Sequence, residues 1–165
     1  MDVIGPFVGE YHFLSNFHPS PFVHDGKVWP TVEHFYQASK TNITELSERI
    51  RLASSPSLAK KLGTYKTYQG EPVLRADWPT YKQRVMKIAI NAKFDQNPDL
   101  AEKLFKTYGH DLVEINGWHD NFWGRCICEK CQAARKVVGQ NWLGYFLKEK
   151  REQLMIEWRK QNGFY

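Results

Sequence analysis

A chain of 165 residues with 42% hydrophobic and 25% charged content can bury a real core and has an ordinary globular composition, which excludes intrinsic disorder. A formal charge of +5 and a pI near 9.1 permit an anionic ligand such as a phosphate or nucleic acid without requiring one. No stretch approaches the length of a membrane span, no basic-then-apolar leader is visible, and three clustered cysteines do not suit a disulfide framework, so the expected setting is reducing and cytoplasmic, with no membrane partner. Aromatic residues reach 15%, with six Trp, which serves a core or a site that stacks planar rings.

In chain order, residues 1–30 are rich in aromatics, Gly and Pro and show no helical period. Phe13-Leu14-Ser15-Asn16-Phe17 sets two small polar side chains among apolar ones, either as a turn bonded to its own backbone or as a polar clamp at a pocket edge. Phe22–His24 and Lys27–Trp29 flank Asp25-Gly26, the strongest hairpin signal in the chain. Trp29-Pro30-Thr31 then opens a helix running through Lys40, with Thr31 as N-cap. At about 100° per residue, Glu33 and Lys40 fall roughly 20° apart with Gln37 between them, while Val32, Phe35, Tyr36 and Ser39 take a neighbouring, core-facing side. The helix dipole alone favours Glu33 early and Lys40 late, and charged stripes commonly just face solvent. Their separation, however, is not that of an i,i+4 surface pair, and the row offers an acid, an amide and an amine to a single substrate.

Leu46, Ile50 and Ala53 mark a helix over 43–53, and Ser54-Ser55-Pro56 breaks it. A short helix, 57–62, is closed by Gly63 as its C′ glycine, and 64–76 read as loop. Asp77-Trp78-Pro79 opens the best helix in the chain, with Asp77 as N-cap and Tyr81, Val85, Ile88, Ala89 and Ala92 on one face, and Asn97-Pro98 ends it. Leu100–Tyr108 forms a helix stopped by Gly109, and Leu112–Ile115 a brief strand. Residues 116–124 crowd aromatic, acidic and imidazole groups into a loop, and a closing helix runs from Trp142 to about Lys160. No repeat or linker divides the chain, so one domain, 1–165, is expected.

Cys126, Cys128 and Cys131 form a C-x-C-x-x-C. A structural zinc site needs four ligands, often as two separated pairs, and only a distant His119 or His110 offers the fourth; the expectation is a metal-free loop packed by small, soft side chains. The alternative of a nucleophilic thiol needs a positive neighbour, which Arg125 or Lys130 supplies.

Several stretches together resemble the NADAR family of YbiA-like N-glycosidases. They are Phe13-Leu14-Ser15-Asn16-Phe17, the run from Asp25 through Trp29-Pro30-Thr31-Val32-Glu33-His34-Phe35-Tyr36-Gln37-Ala38-Ser39-Lys40, Asp77-Trp78, Lys93-Phe94, Leu112-Val113-Glu114, Phe122-Trp123-Gly124 and Asn141-Trp142-Leu143-Gly144. The resemblance implies a single compact domain, mainly α with a small antiparallel β element. It also implies hydrolysis of the N-glycosidic bond between ribose C1 and an exocyclic base amine, with no cofactor. The substrates it suggests are ADP-ribose on guanine in DNA, or phosphorylated ribosylamine intermediates of riboflavin synthesis. On this reading Lys40 adds as a neutral amine to form a Schiff base and Glu33 shuttles protons, so burial or a nearby cation must depress the Lys40 pKa; the simpler scheme has Glu33 activating water directly. The implied substrate-binding residues are Ser15, Asn16, Phe17, Gln37, Trp78, Glu114, Asp120, Trp123, Gly124 and Asn141. The expected partners are an ADP-ribose-containing ligand and single-stranded or ADP-ribosylated DNA. The chain departs from many relatives around 125–138, where the cysteines and Arg125, Lys130, Arg135 and Lys136 replace a Gly-rich loop and favour a polymer such as DNA. Rival readings of another class are an ADP-ribose-binding module without turnover and an aromatic stacking platform for DNA.

Overall fold

The computed structural model describes residues 2–134 and 139–163. Its elements in chain order are β1 (Val3–Ile4), a 3₁₀ turn (Gly9–Leu14), β2 (Phe22–His24), β3 (Lys27–Trp29), α1 (Val32–Ala38), α2 (Thr44–Arg51), α3 (Pro56–Leu62), β4 (Thr67–Tyr68), β5 (Glu71–Pro72), α4 (Trp78–Gln96), α5 (Pro98–Lys106), β6 (Asp111–Leu112), β7 (Ile115–Asn116), β8 (Arg125–Cys126), α6 (Glu129–Ala133) and α7 (Trp142–Gln161). The chain is mainly helical, as expected, and among the described residues its strands pair two by two. Two pairs, β2–β3 and β4–β5, are antiparallel hairpins; the other two, β1–β6 and β7–β8, are parallel. Two compact units emerge, one formed by Asn16–Asn97 and the other by Met1–Ser15 with Pro98–Tyr165. No helix among the described residues is long and apolar enough to cross a membrane. Arg135 and Lys136 of the expected basic run lie outside the described residues.

In the Asn16–Asn97 unit the centre is α1, whose seven residues are all buried. Its first turn is tied down on every side. Thr31 Oγ1 accepts from the His34 N–H (3.2 Å), and the Asn16 carbonyl accepts from the Glu33 N–H (3.0 Å), satisfying two amides that a helix start leaves without partners. Phe35 meets Phe22, His24 and Trp29 edge-on, with ring centroids 5.7, 5.0 and 5.0 Å away, which fixes the helix against the β2–β3 hairpin. That hairpin turns on Asp25 (φ 49°) and Gly26 (φ 72°), the left-handed pair that a two-residue turn requires. Helices α2, α3 and α4 pack on α1, and Leu46, Ile50, Ala59, Leu62, Val85, Met86, Ala89 and Ile90 are among their buried residues.

The buried face of α4 is rotated from the expected one: Met86, Ile90, Lys93 and Phe94 are inside, whereas Ile88 and Ala92 are half-buried. A lysine at 93 disguises the stripe, because its burial is invisible to a hydropathy pattern. Asp77 stands at the cap position, yet its carboxylate is taken by the Arg75 guanidinium and makes no cap bond. Residues 64–76, read as loop, contain the β4–β5 hairpin, turned by Gln69 (φ 51°) and Gly70 (φ 84°).

In the other unit, α5 packs on α7, and Leu100, Leu104, Leu143 and Leu147 are buried. The Arg151 guanidinium, from α7, donates to the Thr107 carbonyl (2.6 Å), the Thr107 hydroxyl (3.0 Å) and the His110 carbonyl (3.0 Å), closing the chain just beyond the end of α5. The stretch expected as one strand, 112–115, is divided between β6 and β7, which pair with different partners.

Candidate active site

Helix α1 ends at Ala38 with Ser39 as its C-cap, so Lys40 lies in the turn just past the helix rather than on it. Ser39 Oγ donates to the Phe35 carbonyl (2.7 Å), and the Lys40 N–H donates to the Gln37 carbonyl (3.3 Å) in a tighter, i→i−3 closure. The Lys40 carbonyl accepts from the Arg75 N–H (2.8 Å), so the backbone carrying the amine is held at both ends.

The row of polar groups does not face solvent. Glu33 is 6% exposed and Gln37 3%. Gln37 Nε2 donates to Glu33 Oε1 at 2.7 Å, a buried bond to a carboxylate of the stronger, charge-assisted kind. The amide's other end, Oε1, is buried without a hydrogen-bond partner among the described residues. His34, beside them, has its tautomer dictated by its surroundings. Nε2 lies 3.0 Å from the Ala53 carbonyl, which can only accept, so Nε2 carries the proton and Nδ1 accepts from the Thr31 hydroxyl (2.8 Å). Burial lowers the His34 pKa, favouring the neutral ring, and the Ala53 bond opposes it.

Lys40 Nζ stands 5.3 Å from the centre of the Tyr36 ring, and Tyr36 in turn meets Trp78 edge-on at 5.1 Å. Burial holds the Lys40 amine below the usual lysine range; the Glu33 charge pulls it back up, and the Lys60 ammonium pushes it further down. The conflict expected between carboxylate and amine is thus present, and burial prevails. Lys40 opens on a cavity of about 420 Å³ whose wall also includes Gly63, Thr64, Tyr65, Val73 and Trp78. That volume falls within the roughly 300–1,000 Å³ of small-molecule sites. Glu33 does not line it and reaches Lys40 through its charge.

Gly63 proves to be more than a helix stop. Its backbone is right-handed (φ −69°, ψ −8°), so the left-handed conformation expected of a C′ glycine is not the reason for it. A Cβ there would lie 2.1 Å from Gln37 Oε1, so glycine is required for close approach to the residue that holds Glu33. Of the other expected residues in this unit, Asn16 gives its carbonyl to α1 and its amide to Met86 Sδ (3.6 Å). Phe17 lies under the Lys60 ammonium at 5.8 Å, and Trp78, 6% exposed, is at once core and cavity wall.

The remaining expected residues belong to the second unit. The Ser15 N–H donates to the His12 carbonyl (2.9 Å) and ends the 3₁₀ turn. Asp120 Oδ1 accepts from the Phe122 (3.0 Å) and Trp123 (2.8 Å) amides, and Trp123 is half-buried, edge-on to Phe122. Asn141 (φ 53°) spends both ends of its amide on backbone, accepting from the Glu114 N–H (3.0 Å) and donating to the Leu112 carbonyl (2.8 Å). Gly124 is required by contact: its Cβ would fall 2.1 Å from the Glu114 carbonyl oxygen. The Glu114 carboxyl is pushed up to about 7 by burial and then by the Asp120 charge, and its Oε2 has no hydrogen-bond partner among the described residues. Such a group can hold or release a proton near neutrality.

The metal-free expectation for the cysteine loop rested on the distance of a fourth ligand. The turn at His119 removes that distance, placing its Nδ1 3.2 Å from Cys128 Sγ and 3.4 Å from Cys131 Sγ. Lys60, Gly63 and the 64–73 wall were not anticipated as site residues; Gly63 carried a signal, a glycine closing a short helix, that pointed to the wrong cause.

Comparison with known proteins identifies the family of the chain. The NADAR domain matches residues 6–155. N-glycosidase YbiA of Escherichia coli strain K12 is 40% identical over 90% of this chain and 84% of its own length. N-glycosidase Npun_R5314 of Nostoc punctiforme is 35% identical over 87% of this chain and 86% of its own length. Riboflavin biosynthesis protein PYRR of Zea mays is 35% identical over 77% of this chain but only 20% of its own length. An NMR structure of the E. coli protein YbiA superposes with a TM-score of 0.77 at 37% identity, covering 94% of this chain and 86% of that one. The chain belongs to the NADAR family.

Proposed function

We propose that this hydrolase of N-glycosyl bonds cleaves between ribose C1 and the exocyclic amine of a base, with ADP-ribose on guanine in DNA as its substrate. The observation that carries the reading is a lysine amine, depressed by burial, opening on a small-molecule-sized cavity with a buried carboxylate close enough to act on its charge. In a glycosylamine, protonation of the ring oxygen opens the sugar to an iminium. The neutral Lys40 amine adds at C1, the base amine leaves with a proton, and the sugar is held as a Schiff base until water adds and releases it as an aldehyde. Glu33 supplies and recovers the protons through Lys40, since the carboxylate itself does not line the cavity; this favours the lysine route over direct activation of water by Glu33. Gln37 holds the carboxylate in place, and the Tyr36–Trp78 pair backs the cavity.

A second substrate, a phosphorylated ribosylamine, is favoured by the riboflavin-biosynthesis names of relatives from Zea mays and Vibrio vulnificus. Both substrates present the same bond. Incubation with ADP-ribosylated single-stranded DNA, and separately with the ribosylamine phosphate, each with and without borohydride, decides between them. The expected result is base release from the DNA adduct and a borohydride-trapped sugar on the wild-type chain that Lys40→Ala abolishes. Turnover with no trapped adduct overturns the lysine route, and release from the ribosylamine alone overturns the DNA substrate.

A further inference from the structure

We propose that His119, Cys126, Cys128 and Cys131 bind one zinc ion. One ligand atom from each, His119 Nδ1 or a cysteine Sγ, lies within 4.8 Å of all the others. With Zn–S of about 2.3 Å and Zn–N of about 2.0–2.1 Å, a tetrahedral site has S···S edges of about 3.8 Å and N···S edges of about 3.6 Å. The His119 Nδ1 distances of 3.2 and 3.4 Å to Cys128 and Cys131 are within a few tenths of an ångström of that edge. All three thiols are free of disulfides.

The surroundings are those of a thiolate site. Cys126 Sγ accepts from the His119 (3.2 Å) and Cys128 (3.4 Å) amides, and Cys128 Sγ, the N-cap of α6, accepts from the Cys131 amide (3.5 Å). Asn121 Nδ2 donates to Cys131 Sγ (3.3 Å), while Asn121 Oδ1 accepts from the Cys126 N–H (3.0 Å), so one side chain braces two ligands. N–H donors aimed at sulfur stabilise negative charge there and orient the ligand. His119 itself sits in the left-handed region at φ 66°, a conformation with an intrinsic cost that the site explains by bringing the imidazole onto the sulfurs.

Three soft thiolates and one imidazole select zinc over magnesium or calcium, and four protein ligands make the site closed, hence structural rather than catalytic. On binding, each thiol gives its proton to solvent, and the three thiolates with Zn²⁺ leave a net charge of −1. The ion joins strand β8, through Cys126, to α6 and to the 117–124 loop that carries Asp120 and Trp123. The proposal rests on these four side chains and is independent of the reaction assigned to Lys40.

Elemental analysis of wild-type protein, purified without chelator, is expected to give about one zinc per chain. Cys128→Ser and Cys131→Ser are expected to lose most of it while keeping native circular dichroism. Cobalt(II) added to chelator-stripped wild type is expected to show sulfur-to-cobalt charge transfer and the d–d bands of a tetrahedral ion; this arm needs no variant to fold. Wild type that carries no zinc and gives no such cobalt spectrum overturns the proposal. So does zinc undiminished in a folded Cys128→Ser variant.

Discussion

Replacing Gly63 with alanine probes the wall behind Lys40. The backbone at 63 is right-handed, so alanine is conformationally compatible and on that ground alone should stabilise the protein by about 0.4–1 kcal/mol through the unfolded chain. The added methyl, however, falls 2.1 Å from Gln37 Oε1, 2.9 Å from its Cδ and 3.0 Å from its Cβ. Gln37 cannot easily retreat, because it is anchored to Glu33 and α1 is buried on all sides. Overpacking of this kind costs about 1–3 kcal/mol, and loosening the amide from the carboxylate adds to it. The net expectation is a loss of about 1–3 kcal/mol, or roughly 2–12 °C in Tm for a chain of this size. In a Gln37→Ala background the two closest atoms are gone, and the same substitution should become neutral or slightly stabilising. Urea unfolding of the four proteins in this cycle measures both numbers. If Gly63→Ala costs the same in both backgrounds, within about 0.3–0.5 kcal/mol, then Gln37 is not what the glycine accommodates and the assignment fails.

Two further outcomes follow from buried amines. Lys60 depresses Lys40, so Lys60→Gln should move the rising limb of the kcat/KM pH profile to higher pH, a limb that in the wild type lies below the ordinary lysine range; an unmoved limb refutes the coupling. Lys93 is 1% exposed, and burial lowers its pKa to about 7. Between that value and the unfolded lysine pKa of about 10.4, the unfolded chain binds a proton that the folded chain does not, so Lys93 makes stability rise with pH across this window. Lys93→Met should flatten the rise by on the order of 1 kcal/mol per pH unit, and identical slopes for the two proteins would sink the claim.

The parts of the fold that could be read from the sequence are those where local chemistry has one outcome. Asp25-Gly26 supplies two left-handed residues between alternating strands, and Thr31 puts an oxygen where helix amides lack partners, so both the hairpin and the start of α1 were expected correctly. The β4–β5 hairpin escaped because two-residue strands carry no period. Lys93 escaped because a charged residue inside a core contradicts the pattern used to find the core. Glu33, Gln37 and Lys40 were recognised as a group by angular spacing, although Lys40 arrives there through a turn and not through the helix. What spacing could not tell was that Glu33 and Gln37 are buried, on a helix against which α2, α3 and α4 all pack. His119 shows the same limit: its approach to the cysteines depends on a single left-handed residue, and sequence separation made it look remote.

The parallel pairing of β1 with β6 has a bearing on how the chain is made. Val3 and Ile4 are synthesised about a hundred residues before their partners, Asp111 and Leu112, a gap of roughly 5–20 s at ordinary elongation rates. Residues 16–97 are complete well before then and hold all their own helices and hairpins. Strand β1 therefore has no β6 to pair with until the 111–112 segment has been made, by which time every residue of the 16–97 unit is already in the chain.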